Sequence, residues 1–514
     1  MTVGALLEVL GPPGLLAETA RVPVDVASTR ATGVAYDSRR ATAGSIFVGL
    51  RGQHADGATF APQAVARGAA VVVAETPAPA ALDCPWVVVT DARVSIAVLA
   101  AAFYDHPTRA LRLAGITGTN GKTTTAYLLR SIFEAAGLPS GLLGTVVYST
   151  GGEDREATRT TPEAPDLEAL FRDMVDRGRR AAVMEVSSHA LALRRVDALH
   201  FSVGVFTNLT RDHLDFHGDM ESYAAAKRRL FELLPDGAPA IVNLDDPKAA
   251  YFLEAARKPV TYALRRVADV TPVDLTLSLN GLHFDTATPA GVVRVRSSLV
   301  GRPNAYNILA AIATAVGLGL PIAAIEQGLS SLVGVPGRFE VVSSPNDDVT
   351  AIVDYAHTDD ALKNLLETAR AMAAGRLITV FGCGGDRDRT KRPLMGAVAG
   401  RLSEVVVVTS DNPRSEDPGR IAEEVMRGMP APSEHVVQAG GATRTVFGPD
   451  AVTILDRRAA IEHAIKVAAP GDLVILAGKG HEKTQVIGER EIKSDDVELA
   501  REALMRRRTR TKVS

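Results

Sequence analysis

The residues best equipped for chemistry stand in one run, Gly115-Ile116-Thr117-Gly118-Thr119-Asn120-Gly121-Lys122-Thr123-Thr124-Thr125. It follows the apolar stretch Leu111-Arg112-Leu113-Ala114 and precedes Leu128, Leu129, Ile132 and Phe133 at helical spacing. Strand, glycine loop and helix is the context in which successive backbone N–H groups and a helix N-terminus wrap phosphate oxygens. Lys122 would neutralise those oxygens, and Thr123 would hold the magnesium that travels with a nucleotide. Ile116 stands where the common Walker pattern has its first glycine. A plain glycine-rich turn is the alternative, but Lys-Thr-Thr-Thr at a helix start adds chemistry that a turn does not need. The run reads as an ATP site.

Further reactive groups follow other strand candidates. Glu185-Val186-Ser187-Ser188-His189 offers a carboxylate for magnesium or its water, with a helix cap by Ser187 or Ser188 as the competing reading. Thr207-Asn208-Leu209-Thr210-Arg211-Asp212-His213-Leu214-Asp215-Phe216-His217 is denser in acids and imidazoles. Later come Asp354-Tyr355-Ala356-His357, Gly382-Cys383-Gly384-Gly385-Asp386-Arg387-Asp388-Arg389, Asp411-Asn412-Pro413-Arg414 and Gly478-Lys479-Gly480-His481-Glu482. Arginine grips a carboxylate through two parallel hydrogen bonds, and Asp or Glu pairs with an ammonium. That combination suits a zwitterionic amino acid. Residues 386–392 alone would also fit a solvated loop.

The elements that must position these groups divide the chain into three. Over 1–108, the stretches 34–36, 45–48, 70–73 and 86–89 read as short strands, with no sign of an ATP site. Over 109–332, strand candidates 181–184, 202–206 and 240–242 alternate with helical stretches 167–175 and 222–234. From 263 to 300 the pattern alternates, as at Leu275, Leu277 and Leu279, which predicts a small antiparallel element before a helix over 306–316. Two glycines and a proline in Gly334-Val335-Pro336-Gly337-Arg338 mark a linker into 333–514, where 377–381, 405–408 and 473–476 are strands. The expected fold is α/β in three domains, with a central P-loop ATPase parallel sheet and a Rossmann-like C-terminal domain. Ligands then gather at the carboxyl edges of the strands.

Bulk properties exclude several classes. The chain has 514 residues, 46% hydrophobic and 23% charged, more than one ordinary core holds. A net charge of -3 argues against a nucleic-acid partner. The basic cluster Arg506-Arg507-Arg508 with Arg510 and Lys512 reads as a frayed tail. Cys84 and Cys383 permit at most one disulfide, as expected in a reducing cytoplasm. No apolar run approaches membrane-spanning length, so no membrane insertion is expected. A monomer is expected.

Several of these runs together resemble one family, the ATP-dependent Mur ligases of peptidoglycan synthesis, across nearly the full length. They are Gly118-Thr119-Asn120-Gly121-Lys122-Thr123-Thr124, Met184-Glu185-Val186-Ser187-Ser188-His189, Asn208-Leu209-Thr210-Arg211-Asp212-His213-Leu214-Asp215, Gly337-Arg338-Phe339-Glu340 and Asp354-Tyr355-Ala356-His357-Thr358. The resemblance implies an N-terminal domain for a uridine nucleotide, a central ATPase and a mobile C-terminal domain. It implies addition of a diamino acid to the D-Glu of UDP-N-acetylmuramoyl-L-alanyl-D-glutamate through an acyl phosphate, with ATP consumed.

By the same resemblance Ser38 and Arg39, with His54 nearby, would bind the uridine part. Thr160, Thr161, Ser187 and Arg195 would position the muramoyl dipeptide; Leu193 stands where members commonly carry Gln. Gly118, Thr119, Asn120, Gly121, Lys122, Thr123, Thr124, Asn304, Arg338 and Asp354 would hold ATP. Magnesium would be supported by Thr123, Glu185, His213 and a carbamate formed by carbon dioxide on Lys227, a residue that otherwise reads as solvated. Arg387, Asp411, Asn412, Arg414, Gly478 and Glu482 would take the amino acid, and Asp411-Asn412-Pro413-Arg414 resembles the signature of members that add meso-diaminopimelate. Asp359 replaces a usual proline and Lys483-Thr484 a usual acidic-aromatic pair, which keeps lysine or ornithine as alternatives. Folylpolyglutamate synthetase shares the ATP chemistry but lacks the uridine domain combined with that signature. A silent nucleotide-binding protein would not need Lys122, Glu185, His213 and Lys227 intact. Some group must take a proton from the incoming amine, and the sequence does not identify it.

Overall fold

The structure is a computed structural model that describes residues 1–17, 22–52, 55–80, 82–278, 281–439 and 442–511. His54, Leu279 and Lys512 lie outside the described residues. Three main sheets carry the chain. In the first, strands Val34–Ala35, Ile46–Val48, Val71–Ala74 and Trp86–Val88 lie in chain order, all parallel.

The central sheet runs Pro259–Tyr262, Ala240–Asn243, Val203–Phe206, Arg112–Thr117, Ala181–Glu185, Ser140–Leu143, Val147–Ser149 and Arg155–Glu156. Its first six strands are parallel and the last two antiparallel. The parallel strands are short apolar runs because helices cover both faces; every residue of Ala181–Glu185 is buried. Leu128, Leu129, Ile132 and Phe133 of helix Lys122–Ala135 are buried in the same core as helix Arg302–Gly317. The alternating stretch forms an antiparallel sheet of Thr271–Ser278, Gly281–Thr288 and Gly291–Ser297, whose Leu282, Phe284, Val293 and Val295 close that core.

The C-terminal sheet runs Glu340–Val341, Thr350–Asp354, Leu473–Ala477, Leu377–Phe381, Val405–Val408 and Asp450–Thr453, parallel except for its first strand. Register fixes what this achieves. Thr117 lies beside Phe206, Phe206 beside Val242 and Ile116 beside Glu185, so the phosphate loop and the 185–189 and 207–217 segments leave one edge together. Asp354 lies beside Ala477 and Phe381 beside Val408, so 355–358, 382–390, 409–414 and 478–482 leave one edge of the other sheet.

One expectation is corrected, and one alternative is narrowed. The basic tail is not frayed: helix Asp496–Thr511 buries Leu499, Ala500, Ala503 and Leu504. Arg507 pairs with Asp348 at 2.7 Å and donates to the carbonyls of Ile465 and Ala468, while Arg508 pairs with Asp347 at 2.6 Å. Nor is 386–392 wholly a solvated loop. Arg392 is fully buried, reaching Glu416 at 2.9 Å and Glu424 at 2.8 Å. Cys84 and Cys383 are both free. Among the described residues no helix is long and apolar enough to cross a membrane.

One buried acid opposes the packing. Glu168 lies on helix Ala164–Asp176, which packs against helix Ala92–Phe103, and neither of its carboxylate oxygens has a hydrogen-bond partner. Burial pushes its pKa up to about 8. The unfolded chain releases this proton above its ordinary 4.5, whereas the folded protein keeps it to about 8. Stability therefore falls as pH rises through that window, because the unfolded state binds fewer protons there. Glu168→Gln is expected to flatten this slope and to raise stability near pH 8 by on the order of 3–4 kcal/mol. Urea denaturation of both proteins at mildly acidic and mildly alkaline pH checks it; an identical slope in the variant refutes it.

Candidate active site

The phosphate loop is held open by its neighbours. Asn120 N–H donates to Asn208 Oδ1 at 2.9 Å, and Thr119 Oγ1 donates to the Thr210 carbonyl at 3.1 Å. Lys122 Nζ donates to the carbonyls of Gly118 and Thr119 at 2.9 and 2.8 Å, so its charge lies over the loop. Burial lowers its pKa, with Glu185 and Asp212 acting the other way. Thr123 Oγ1 donates to Glu185 Oε2 at 3.0 Å and accepts from Arg338 Nη2 at 3.1 Å, and Thr124 is buried beside it. Gly121 caps the helix at φ +87°, and a Cβ there would lie 2.3 Å from Asn307 Oδ1. The amide that meets the loop is thus Asn307. Asn304 stands behind it, accepting from Asn307 Nδ2 at 3.0 Å and donating to the Val300 carbonyl at 2.8 Å.

Lys227 is not a solvated helix residue. It is 1% exposed, its Nζ donates to the Gly118 carbonyl at 2.8 Å, and it lies 4.4 Å from the centre of the Tyr223 ring. Burial, then the neighbouring Lys122, pushes its pKa well below the usual lysine range. Its helix face was readable; the depth of the wall it meets was not. His213 has φ +53° and its ring stands edge-on to His189 at 4.8 Å, with Nε2 3.3 Å from Asp212 Oδ2. Burial, His189 and Lys227 hold its pKa down against Asp212. His357 Nε2 approaches the same Asp212 oxygen at 3.9 Å. Among the described residues no group of three or more His, Cys, Asp or Glu side chains is gathered as a metal site.

Where the resemblance would place the dipeptide, Thr161 Oγ1 donates to the Glu185 carbonyl at 2.8 Å and accepts from Ser187 N–H at 3.1 Å. Arg195 reaches the Thr161 carbonyl at 3.0 Å and Glu163 at 2.6 Å. Thr160 Oγ1 lies 3.1 Å from Thr145 Oγ1, and Thr145 Oγ1 donates to Glu185 Oε2 at 3.1 Å. Ser187 also caps helix Ser188–Ala192, so both readings of its hydroxyl apply. Beside these residues a cleft of about 1010 Å³ opens between Tyr36 and Arg40 of the first sheet's region and Tyr148, Arg159, Glu163 and Asp166. Ser38 Oγ donates to Gln63 Oε1 at 3.1 Å, and Arg39 is exposed against Asp37 at 2.7 Å.

At the other sheet edge, Asn412 Nδ2 donates to Glu482 Oε2 at 2.8 Å, and buried Lys479 lies 3.3 Å from Glu482 and 3.7 Å from Asp411. Burial and Asp411 raise the Glu482 pKa. Arg414 Nη1 donates to the Gly385 carbonyl at 2.6 Å; burial and Arg387 lower its pKa. Arg387 is exposed, and Gly478 lies against Asp411. Asp354 accepts from the N–H groups of Phe339 and Ala356, both at 2.7 Å, and burial raises its pKa.

The two edges face each other. Besides Arg338 on Thr123, Asn120 Nδ2 donates to Asp360 at 3.2 Å, and Arg211 meets Asp359 at 3.0 Å, Thr390 at 2.6 Å and Asp388 at 3.5 Å. Sequence reasoning passed over these bridges and Asn307. The only signal was Asp359 itself, a carboxylate where a proline is usual.

Gly121→Ala tests the loop. Placing an L side chain at that φ, against Asn307, costs about 1–3 kcal/mol of local strain. Calorimetric titration is expected to show nucleotide affinity about 10- to 100-fold weaker, with far-ultraviolet circular dichroism unchanged. Wild-type affinity in the variant would mean that the loop relaxes freely.

Similarity extends over almost the whole chain. Family models described as Mur ligase family, catalytic domain; Mur ligase middle domain; and Mur ligase, glutamate ligase domain match residues 30–104, 116–315 and 337–480. The chain is 48% identical over 476 residues to UDP-N-acetylmuramoyl-L-alanyl-D-glutamate--2,6-diaminopimelate ligase of Geobacter metallireducens, covering 91% of this chain and 92% of that one. It is 46% identical over 508 residues to the protein of the same name from Solibacter usitatus, covering 98% of each. A solved structure of UDP-N-acetylmuramoyl-L-alanyl-D-glutamate--2,6-diaminopimelate ligase, 34% identical, superposes with a TM-score of 0.66 over 99% of this chain and 100% of that one. With its phosphate loop, facing sheet edges and nearly full length matched in this way, the chain belongs to the Mur ligase family.

Proposed function

We propose that this chain is an ATP-dependent amide ligase of peptidoglycan biosynthesis. It joins meso-2,6-diaminopimelate to the D-Glu of UDP-N-acetylmuramoyl-L-alanyl-D-glutamate, releasing ADP and phosphate. The observation that carries the reading is the meeting of two edges: Arg338, from the region that bears Arg414 and Glu482, touches Thr123 of the phosphate loop. Relatives named as 2,6-diaminopimelate ligases over more than nine-tenths of the chain support the substrate.

The difficulty in this reaction is electrostatic. A carboxylate must attack the γ-phosphate of ATP, and the two anions repel. Lys122, turning from the loop carbonyls, meets the phosphates with Arg338, and Asn307 and Asn304 brace the loop. Asp354, aimed by two backbone N–H groups, takes the ribose. Ser38 and Arg39 hold the uridine part, and Thr160, Thr161, Ser187 and Arg195 orient the dipeptide so that its carboxylate lies in line. Closure of the seam through Arg211 and Asn120 excludes water from the labile acyl phosphate.

The donor set fits a divalent cation once phosphate oxygens join it. Thr123 and Glu185 are already in contact, and burial lowers the proton affinity of Lys227, which favours the neutral amine that carbon dioxide can convert to a carbamate. Thr123, Glu185, His213 and carbamylated Lys227 would hold magnesium. Bound there, it would offset charge on the phosphate oxygens.

For the second substrate, Arg414 pairs with the distal carboxylate of diaminopimelate, which lysine and ornithine lack, while Asp411 and Glu482 attract the ammonium and Asn412 orients Glu482. Arg387 and Gly478 complete the pocket. Phosphate release is expected only with ATP, magnesium, the nucleotide dipeptide and the amino acid together, and meso-diaminopimelate is expected to exceed lysine and ornithine in kcat/KM. Arg414→Ala is expected to lower kcat/KM for diaminopimelate about 10- to 100-fold, the worth of a charged hydrogen-bond pair. Equal turnover of all three amino acids by the unaltered protein would sink the assignment. Lys227→Ala is expected to lower kcat about 10²- to 10³-fold, with partial recovery in formate or acetate. No recovery at any carboxylate concentration would count against a carbamate.

A further inference from the structure

His481 is bound on one side and unpartnered on the other. Its backbone lies against Gly337, where a Cβ would come within 2.2 Å of His481 N, so the backbone that carries the ring is packed against the segment of Arg338. The imidazole makes a hydrogen bond with the backbone of Thr145, across the seam between the two sheets. Its Nδ1 is buried and has no hydrogen-bond partner, a condition that buried polar atoms seldom keep unless something else fills it. Because Nδ1 has no partner, the backbone contact with Thr145 falls to the other ring nitrogen, and a proton there leaves the lone pair on Nδ1.

Its place is also the right one for chemistry. Thr145 holds Glu185 and stands next to Thr160, where the dipeptide carboxylate is activated. On the other side His481 adjoins Glu482, which with Asn412 and Lys479 forms the amino-acid pocket. Resting on the proposed ligase reaction, we infer that His481 Nδ1 is the base that takes the proton from the incoming ammonium. Asp411 Oδ1 is the other buried pocket atom without a hydrogen-bond partner, but it faces the Lys479 ammonium, whereas among the described residues no cation is paired with His481 Nδ1. Glu482 Oε2 is held by Asn412 and Lys479, and His357 Nδ1 lies 2.9 Å from the Tyr355 carbonyl.

The step balances. The ammonium gives one proton to His481 Nδ1, and its freed lone pair forms the C–N bond at the acyl-phosphate carbonyl. The C–O bond to phosphate then breaks, and the second nitrogen proton leaves with it as hydrogen phosphate. The imidazolium proton passes to solvent when the seam opens. The groups that face the ring are Arg338, Lys479, the Thr145 backbone and the Tyr355 ring at 5.1 Å. Burial, Arg338 and Lys479 keep the ring's pKa down at about 4 in the free protein, so it waits unprotonated. Phosphates bound on Arg338 offset one of those cations and raise its basicity when the acyl phosphate is present.

Hydroxylamine provides the test, because this amine is largely unprotonated near neutral pH and needs no base. His481→Asn and His481→Gln are expected to lower kcat for diaminopimelate about 10²- to 10⁴-fold, the usual worth of general-base catalysis. KM for the amino acid should change less than about threefold, and hydroxamate formation from the dipeptide, ATP and hydroxylamine should stay within about threefold of wild type. Residual ligation by the variants should rise about tenfold per pH unit towards the amine's own pKa. Equal losses with hydroxylamine and diaminopimelate overturn the inference, as does restoration of wild-type ligation by Gln, which can keep the Thr145 bond but cannot take the proton. If wild-type protein forms no hydroxamate at all, the ligase reading fails instead.

Discussion

Everything in this molecule is arranged around the repulsion between a carboxylate and a triphosphate, and the cations that offset it repel one another as well. Two like charges about 4 Å apart at a partly shielded site oppose each other by about 4 kcal/mol. Lys122 and Lys227 share the Gly118 carbonyl and Arg338 bears on Thr123 nearby, a crowd of positive groups before any anion arrives. The protein relieves this by burial, which lowers the proton affinity of both lysines, and by carbonyl oxygens that take their N–H groups. Cations stored in this way need little reorganisation when phosphate enters. The backbone of parallel strands supplies the rigidity, since register alone sets loop 118–122 beside 207–217.

The C-terminal unit is held together by a different kind of ion pair from those at the seam. Arg457 with Asp496, Arg370 with Glu404 and Arg392 with Glu416 are buried, and breaking any one leaves an uncompensated charge inside the protein. Arg211 with Asp359 and Asp388 is partly solvated, where such pairs contribute little each. The contacts that hold the unit's own fold are thus more deeply buried than the ion pairs that join it to the central sheet. Substrate entry and product exit demand such a division of strong and weak contacts.

What could be read from the sequence was whatever a local pattern encodes. The phosphate loop, the strands that end in polar loops and the alternating stretch before helix Arg302–Gly317 are local, and periodicity or glycine spacing exposes them. The burial of Lys227 and Arg392 was not legible, because burial of a long charged side chain depends on what packs over it. Arg392 meets Glu416 and Glu424, residues more than twenty positions away. The C-terminal helix looked like a basic tail for the same reason, its arginines being matched by Asp347 and Asp348 from another part of the chain. Asn307, three positions after Asn304 on the same helix face, was not singled out, and only its approach to Gly121 reveals it.

One close approach ties the two halves of the chemistry together. Gly337, at φ +65°, packs so tightly on Gly480 and His481 that no larger residue fits. The residue after it is Arg338, which reaches the phosphate loop, and the residue after His481 is Glu482, which accepts from Asn412 and is proposed to line the amino-acid pocket. Phosphate contact and amine contact are thus made by adjacent links of one interlocked pair of loops. A movement that carries Arg338 to the nucleotide must carry Glu482 towards the site of attack. The acyl phosphate is then shielded by the same closure that presents the amine, and hydrolysis has to compete with a nucleophile already in place.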